Sequence, residues 1–210
     1  MALVGWLNRS TCIAAASLLR ERARVVRSVA PLLGIAAAFL FISVSISPSA
    51  EPPRPAEYEL KAAFLFNFIK FTEWPAEELG KGGDPFIIGV VGTDPFGAAL
   101  DKIVEGETFH NRPIVARRFP RMEEAAANSH VLFISSSEES HLPAILKLLG
   151  RQGVLTVSEI ENFAQRGGII SLKKENNRIV FEINLAAAKR ARLTMNAQLL
   201  KLAKIVKGLP

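Results

Sequence analysis

The sequence predicts an α/β protein: an open three-layer sandwich with a mostly parallel sheet and a C-terminal antiparallel hairpin. Between residues 86 and 157, short apolar runs of strand length alternate with segments typical of helices. This alternation indicates a parallel sheet with helices on its faces. Gly168 to Leu172 and Arg178 to Ile183 then flank the polar run Lys-Lys-Glu-Asn-Asn, which predicts the hairpin. The domain is expected to span residues 57–207.

Residues 1–50 have the composition of an export leader. Residues 20–28 hold four arginines, and residues 29–46 carry no charge and are rich in Leu, Ile, Ala and Phe, which is the order typical of a secretory signal. Cleavage near Ala50 would place the protein in the periplasm. The apolar run is also close to the length of a spanning helix, so an uncleaved membrane anchor is the alternative. Residues 51–56, with three prolines, are interpreted as a linker.

Charge and cysteine content exclude several classes of function. The leader, with five Arg and one Glu, holds +4 of the formal charge of +6, so the segment after it is nearly balanced. No basic stripe with interleaved aromatic residues is present there, and nucleic-acid binding is not expected. The one cysteine, Cys12, lies in the leader. The exported domain therefore has no disulfide, no thiol nucleophile and no cysteine-ligated metal.

Local patterns predict the individual elements. Apolar residues at three- and four-residue spacing predict a helix over Glu57–Phe71 that ends before Trp74-Pro75. Apolar runs predict the strands, and capping residues predict where helices begin. The expected strands are Phe86–Val91, Pro113–Arg117, His130–Ile134 and Gly153–Val157; the expected helices are Pro95–Val104 with Asp94 as N-cap, Met122–Ala127, Glu138–Leu149 capped by Ser137, a short helix capped by Ser158, Leu185–Ala191 and Ala197–Val206.

Two polar loops are candidates for a ligand site. Asp94 follows the first strand in Gly-Thr-Asp, and Ser135 follows the third strand in Ser-Ser-Ser. In an open α/β sheet, ligands bind at the carboxyl ends of strands where the strand order reverses. Backbone donors and hydroxyls suit a small anionic or polar ligand there. Helix capping explains Asp94 and the serines equally without a ligand, so both interpretations stay open.

The sequence contains no pattern typical of an active site. His110, His130 and His141 are scattered, and no Gly-x-Ser-x-Gly elbow accompanies them. A dinucleotide fingerprint and a phosphate-binding Gly-Lys-Ser/Thr loop are also missing from the sequence. We therefore predict no catalytic residue, no metal ligand and no cofactor.

The C-terminal strand carries the remaining candidates. Gly167 and Gly168 supply backbone freedom for a turn before it. From Arg178 to Asn184 the side chains alternate, which places Glu182 and Asn184 on the face opposite Phe181. This polar pair could contact a partner, although Asn184 also suits the N-cap of the following helix.

Seven short motifs follow one another along the domain. They are Trp-Pro at 74–75 after an aromatic helix, Gly-Val-Val-Gly-Thr-Asp-Pro-Phe at 89–96, Val-Leu-Phe-Ile-Ser at 131–135, Val-Leu-Thr-Val-Ser at 154–158, Phe-Ala-x-x-Gly-Gly at 163–168, Phe-Glu-Ile-Asn at 181–184 and Leu-Leu-x-Leu-Ala at 199–203. In this order they resemble the YfiR-like family, and the resemblance extends over about residues 57–207.

The resemblance implies a periplasmic protein, usually a homodimer, that represses a membrane-bound diguanylate cyclase by contacting its periplasmic region. It also implies an outer-membrane, peptidoglycan-binding lipoprotein that sequesters the repressor, with cyclic di-GMP and biofilm formation as the output. Partner contact, or the architecture that presents it, would use Trp74, Gly167, Gly168, Arg178 and the segment 181–184. Well-known members carry cysteine pairs that this domain lacks, so redox control is not expected. The alternative function is a periplasmic small-molecule sensor with its ligand between Asp94 and Ser135.

Overall fold

The computed structural model describes residues 55–79 and 83–208. The predicted leader, its cleavage site and most of the predicted linker lie outside the described residues. Within the described ranges, no helix is both long and apolar enough to cross a membrane.

Helices and strands alternate through most of the described chain. In order they are α1 (Pro55–Lys70), β1 (Thr72–Glu73), a 3-10 helix (Ala76–Leu79), β2 (Phe86–Val91), α2 (Ala98–Val104), β3 (Thr108–Phe109), β4 (Arg112–Phe119), α3 (Met122–Asn128), β5 (Val131–Ile134), a second 3-10 helix (Ser136–His141), α4 (Leu142–Leu149), β6 (Leu155–Ser158), β7 (Ile170–Glu175), β8 (Arg178–Ile183), α5 (Leu185–Arg190), β9 (Thr194–Met195), α6 (Ala197–Leu202) and β10 (Lys204–Ile205).

Eight of these strands form one mixed sheet in the order β10-β8-β7-β6-β5-β2-β4-β3. Parallel pairing joins β2 to both β4 and β5, and also joins β5 to β6, β6 to β7 and β8 to β10. The pairs β7–β8 and β3–β4 are antiparallel. The short strands β1 and β9 pair separately. The prediction of an α/β fold is confirmed. The order of the strands reverses at β2, which has β4 on one side and β5 on the other.

Side chains of successive strand residues pack into two separate apolar clusters, one on each face of the sheet. Along β5, Val131 and Phe133 belong to a cluster shared with α1, α2 and α5, whereas Leu132 and Ile134 belong to one shared with α3 and α4. This alternation follows from the two-residue period of a strand. Because both faces are covered, β5 is apolar throughout its length.

Helix α1 supplies much of the first cluster. Leu65, Phe68 and Ile69 are almost completely buried, and the ring centroid of Phe68 lies 5.2 Å from that of Phe181 on β8. Burial of each such side chain contributes about 1.5–3 kcal/mol. The helix begins at Pro55, two residues before the expected Glu57, because proline suits the first turn of a helix.

The predicted N-cap role of Asp94 is wrong. Helix α2 begins at Ala98, after Gly97 with φ +52°. The Asp94 carboxylate instead accepts a hydrogen bond from the Phe96 N–H, at 2.8 Å. An aspartate that binds the backbone two residues later forms a turn, and the helix starts after that turn.

Ser137 does not cap a long helix either. The segment Ser136–His141 is a 3-10 helix whose N-cap is Ser135, and α4 starts only at Leu142. Pro143 lies in the first turn of α4 and has no N–H to continue a hydrogen-bond ladder from the preceding turn. The helix expected after Ser158 is likewise a series of turns, although the Ser158 hydroxyl accepts from the Ile160 N–H at 3.0 Å.

The C-terminal region contains a strand that the sequence pattern did not predict. Helix α6 ends at Leu202 instead of Val206, and β10 then pairs with the outer side of β8. Between β7 and β8, Asn176 and Asn177 form a two-residue turn with φ +47° and +62°. Asparagine tolerates this left-handed geometry, which matches the twist of antiparallel strands.

Candidate functional site

Four of the predicted site residues lie together where β8 ends. The Asn184 N–H donates to the Ile169 carbonyl at 2.9 Å, directly after Gly167 and Gly168. The Gln165 side chain in the same turn donates to Glu182 at 2.7 Å. We call this group the C-terminal corner; it consists of Gln165, Gly167, Gly168, Glu182, Asn184 and Lys204.

Glu182 is a buried carboxylate at the centre of the corner, with 2% of the residue exposed. Lys173 from β7 and Lys204 from β10 each approach it to 2.9 Å. Burial acts to raise the pKa of Glu182, but hydrogen bonds from Lys204, Lys173 and Gln165 together outweigh it and lower the pKa to about 2. The carboxylate is therefore charged at neutral pH, and it joins three strands of the sheet.

Asn184 is completely buried and has a structural role. Its side-chain oxygen accepts from the Ala187 N–H at 3.0 Å, and its side-chain N–H donates to the Ala164 carbonyl at 2.8 Å. The predicted N-cap role of Asn184 is confirmed. The 163–168 turn and β10 cover Glu182 and Asn184. Contact of this polar pair with a partner stays a prediction.

The two glycines of the corner allow the turn to approach the sheet. Gly167 has φ +112°, a conformation that side chains rarely adopt. A Cβ on Gly168 would lie 2.1 Å from the Phe163 ring, which is fully buried. Both positions fit the architecture around Glu182, so the corner can present a rigid outer surface.

Trp74 lies away from the corner and belongs to the core. Its indole N–H donates to the Gly153 carbonyl at 2.9 Å, and its ring packs edge-on against Phe86 and Phe109 at 5.1 and 5.6 Å. Arg178 is exposed at the start of β8, at the opposite end of the strand from Glu182. These two residues do not join a common site.

Asp94 and Ser135 lie at the strand-order reversal, as predicted, but the protein itself uses their polar groups. Asp94 accepts from the Arg118 guanidinium at 2.9 Å. Ser135 is buried, and the adjacent Ser137 hydroxyl accepts from the Thr93 N–H at 2.9 Å, which ties the two loops together. Asp94 also lines a cleft of about 640 Å³ beside Tyr58.

A buried ion-pair cluster on α1 was missed from the sequence. Lys61 is 4% exposed, and its ammonium contacts Glu57 at 2.8 Å and Glu159 at 2.6 Å. Lys174 also contacts Glu57, at 2.7 Å, and Tyr58 donates to Glu159 at 3.3 Å. Burial acts to lower the pKa of Lys61, but the two carboxylates outweigh it and raise the pKa. The Glu57–Lys61 spacing of four residues on a helix was the available signal.

The matching family model is described as YfiR/HmsC-like and matches residues 58–204, which is well over half of the chain. The chain belongs to the YfiR/HmsC-like family. Members of this family are periplasmic regulators of diguanylate cyclases and not enzymes. The family match spans the described sheet from α1 to the first residue of β10.

Among solved structures, this YfiR/HmsC-like chain is similar to a conserved domain protein from Vibrio cholerae O1 biovar El Tor. The two are 14% identical with a TM-score of 0.48, over 71% of this chain and 60% of that protein. The chain thus covers less than two thirds of the Vibrio protein. A comparison with curated proteins found no match.

The buried charges described above are paired within the YfiR/HmsC-like domain itself. In the described part of the chain, no group of three or more His, Cys, Asp or Glu side chains is placed to hold a metal ion. The most perturbed carboxylate, Glu182, is neutralised by lysines and lies beneath β10 instead of facing a cleft. What the C-terminal corner can do is hold an edge strand in a fixed position.

Proposed function

We propose that this protein is a periplasmic repressor of a membrane-bound diguanylate cyclase. It binds the periplasmic region of the cyclase and thereby lowers cyclic di-GMP and biofilm formation. The observation that carries the proposal is the family match over residues 58–204, which includes α1, the sheet and the C-terminal corner. The leader pattern in residues 1–50 supports export to the compartment where that contact would occur.

The proposed contact surface is the β10 edge, which consists of Leu202, Lys204 and Ile205. Leu202 is 76% exposed and Ile205 is 46% exposed, and Lys204 lies between them. Large exposed apolar side chains that lie close together favour protein contact. The corner supports this surface, because Lys204 pairs with Glu182 and the Val206 N–H donates to the Ile183 carbonyl at 2.9 Å.

The proposal has two further parts that concern assembly. The repressor acts as a homodimer, and an outer-membrane, peptidoglycan-binding lipoprotein withdraws it from the cyclase. The family resemblance supports both parts. Co-purification of differently tagged copies would test the dimer, and capture of the lipoprotein from crosslinked cells would test the sequestration.

The decisive experiment is deletion of the gene followed by measurement of cellular cyclic di-GMP. We expect a severalfold rise that an exported copy reverses and a copy without residues 1–50 does not. A rise reversed equally by the copy without the leader would contradict action in the periplasm. No change, under conditions where the protein is made, would favour the small-molecule sensor, for which the cleft beside Asp94 and Tyr58 offers a site.

A matched pair of variants tests the contact surface. Leu202→Glu places a charge on the β10 edge, whereas Leu148→Glu makes the same change on α4, where Leu148 is 42% exposed. We expect Leu202→Glu to abolish repression and Leu148→Glu to retain it, with both proteins folded and exported. Equal repression by the two variants would refute the β10 edge as the contact surface.

A further inference from the structure

A second cleft lies at the amino ends of β2, β5 and β6, opposite the edge of the sheet that holds Asp94. It has a volume of about 600 Å³, and its lining includes the polar residues Arg117, Ser129 and His130 and the apolar residues Ile87 and Val154. Ligand sites combine such apolar walls with a few polar groups that fix orientation.

His130 is held rigidly in this cleft. Its backbone N–H donates to the Ile87 carbonyl at 3.0 Å, and its carbonyl accepts from the Leu155 N–H at 2.8 Å. The ring stacks on Phe86 with centroids 4.4 Å apart. The ring is therefore held by Phe86 and Ile87 of β2, whereas the backbone of His130 is held between β2 and β6.

The hydrogen bonds also fix the tautomer of His130. The Ile87 N–H donates to Nδ1 at 3.0 Å, so Nδ1 is an acceptor and the ring proton lies on Nε2. Burial lowers the pKa of His130, and the charge of Arg112 lowers it further, so the ring is neutral at pH 7. No hydrogen bond within residues 83–208 uses Nε2–H, which leaves this donor available for a ligand.

Ser129 is a second unused donor. The residue is 92% buried at the wall of the cleft, and its hydroxyl has no hydrogen-bond partner in the described structure. A buried polar group without a partner costs about 1–3 kcal/mol. The hydroxyl lies above Gly89, where a Cβ would be 2.2 Å from it. Glycine at this position makes the room that Ser129 occupies.

Arg117 is the positively charged residue in the lining of the cleft. It pairs in register with Gly89 across β2 and β4, which places its side chain on the same face of the sheet as Ser129. Arg118, the next residue, binds Asp94 and Asp101 on the other face, whereas Arg117 has no ion pair with any described residue. A guanidinium, a hydroxyl and an imidazole N–H carried by residues that line one cleft suit an oxyanion.

We infer that this cleft binds a small molecule with a carboxylate head and a short apolar body. The carboxylate accepts from Arg117, Ser129 and His130 Nε2–H, and the body packs against Ile87 and Val154. Two carboxylates also line the cleft, Glu78, which is paired with Arg192, and Asp84. They disfavour a dianion such as phosphate, which selects a monocarboxylate. This site is independent of the β10 edge.

Butyrate is a suitable probe, with butyramide as its neutral isostere. With the protein purified from cells that export it, butyrate should bind saturably, shift the amide signals of Ser129 and His130 in NMR spectra, and raise the melting temperature. Butyramide and inorganic phosphate should produce none of these three effects. Binding of butyramide as tight as that of butyrate, or butyrate shifts that never saturate, would overturn the inference.

Four variants locate the site. Arg117→Gln should weaken butyrate at least tenfold, whereas Arg121→Gln, the same change on an exposed arginine of the same region, should leave it unchanged. His130→Asn keeps an acceptor for the Ile87 N–H but removes the Nε2–H donor, so it should fold and bind butyrate more weakly.

Ser129→Ala keeps the inference testable if the histidine variant does not fold. Because the hydroxyl has no protein partner, its removal should preserve or raise the melting temperature of the free protein while weakening butyrate. Unchanged affinity in both Ser129→Ala and Arg117→Gln would refute the site.

Discussion

At the scale of single residues, Glu182 shows how a buried charge can be useful without catalysis. A carboxylate removed from water costs several kcal/mol unless partners compensate it. Here Lys173, Lys204 and Gln165 supply those partners, and two of them come from neighbouring strands. Through these contacts the charge links β8 to both of the strands beside it.

We expect Glu182→Gln to destabilise the protein by about 1–3 kcal/mol. The amide cannot compensate both lysines, although Lys204 is exposed and can turn to water. Urea denaturation at pH 7 measures the loss. Glu175→Gln, on the exposed end of β7, removes the same charge and should change stability by less than about 0.5 kcal/mol. A similar loss in both variants would contradict a special role for Glu182.

The lowered pKa of Glu182 makes a second prediction, for pH dependence. Since the pKa is about 2 in the folded protein against 4.5 ordinarily, the ionised carboxylate stabilises the fold fully above pH 4.5. This contribution is lost as the pH falls from 4.5 towards 2. Stability measured over this range should fall more steeply in the wild type than in Glu182→Gln. Parallel curves would show that Glu182 has an ordinary pKa in the folded state.

Sequence alone predicted part of the C-terminal corner. The alternation from Arg178 to Asn184 correctly placed Glu182 opposite Phe181, because side-chain period is a local property of a strand. The pattern could not show that Lys204, 22 residues later, would cover that face. The Lys61 cluster was missed in part for the same reason: Glu57 lies one turn away on the same helix, but Glu159 is 98 residues distant in the sequence.

At the scale of elements, a helix cap could be predicted from the sequence where the capping contact is local and no turn forms in its place. Asn184 caps α5 through a bond three residues along the chain, as expected. Asp94 was expected to act in the same way, but it binds Phe96 and leaves the helix to start after Gly97. The difference arises because Asp and Asn side chains can stabilise either a turn or the first turn of a helix, so the two structures compete.

Two asparagine caps allow a direct comparison. Asn184→Ala should cost about 2 kcal/mol, because it removes the cap of α5 and also leaves the buried Ala164 carbonyl without its donor. Asn196→Ala removes only the cap of α6, which is exposed, and should cost about 1 kcal/mol or less. Thermal denaturation of both variants measures the difference, and a larger cost at Asn196 would contradict it.

At the scale of the whole molecule, the sheet order was beyond sequence reasoning. Apolar runs predicted β2, β4, β5 and β6. Of these, β2 and β5 are buried and apolar throughout, as central parallel strands are, whereas β4 is partly exposed. Nothing in a single strand shows its neighbours, however, and β10 contacts β8 through partners that are distant in the sequence, the Lys204–Glu182 ion pair and the backbone bond to Ile183.

A shortened chain can test whether Glu182 and β10 stabilise the protein jointly. A chain ending at Ala203 lacks β10, so Glu182 keeps only Lys173 and Gln165 as partners. If β10 is held by Glu182, Glu182→Gln should cost less stability in the shortened chain than in the full one, since interacting changes are not additive. Urea denaturation of the four proteins in this cycle gives the coupling. An equal cost in both backgrounds would mean that β10 stays on the sheet without Glu182, and its edge would then be fixed by backbone pairing alone.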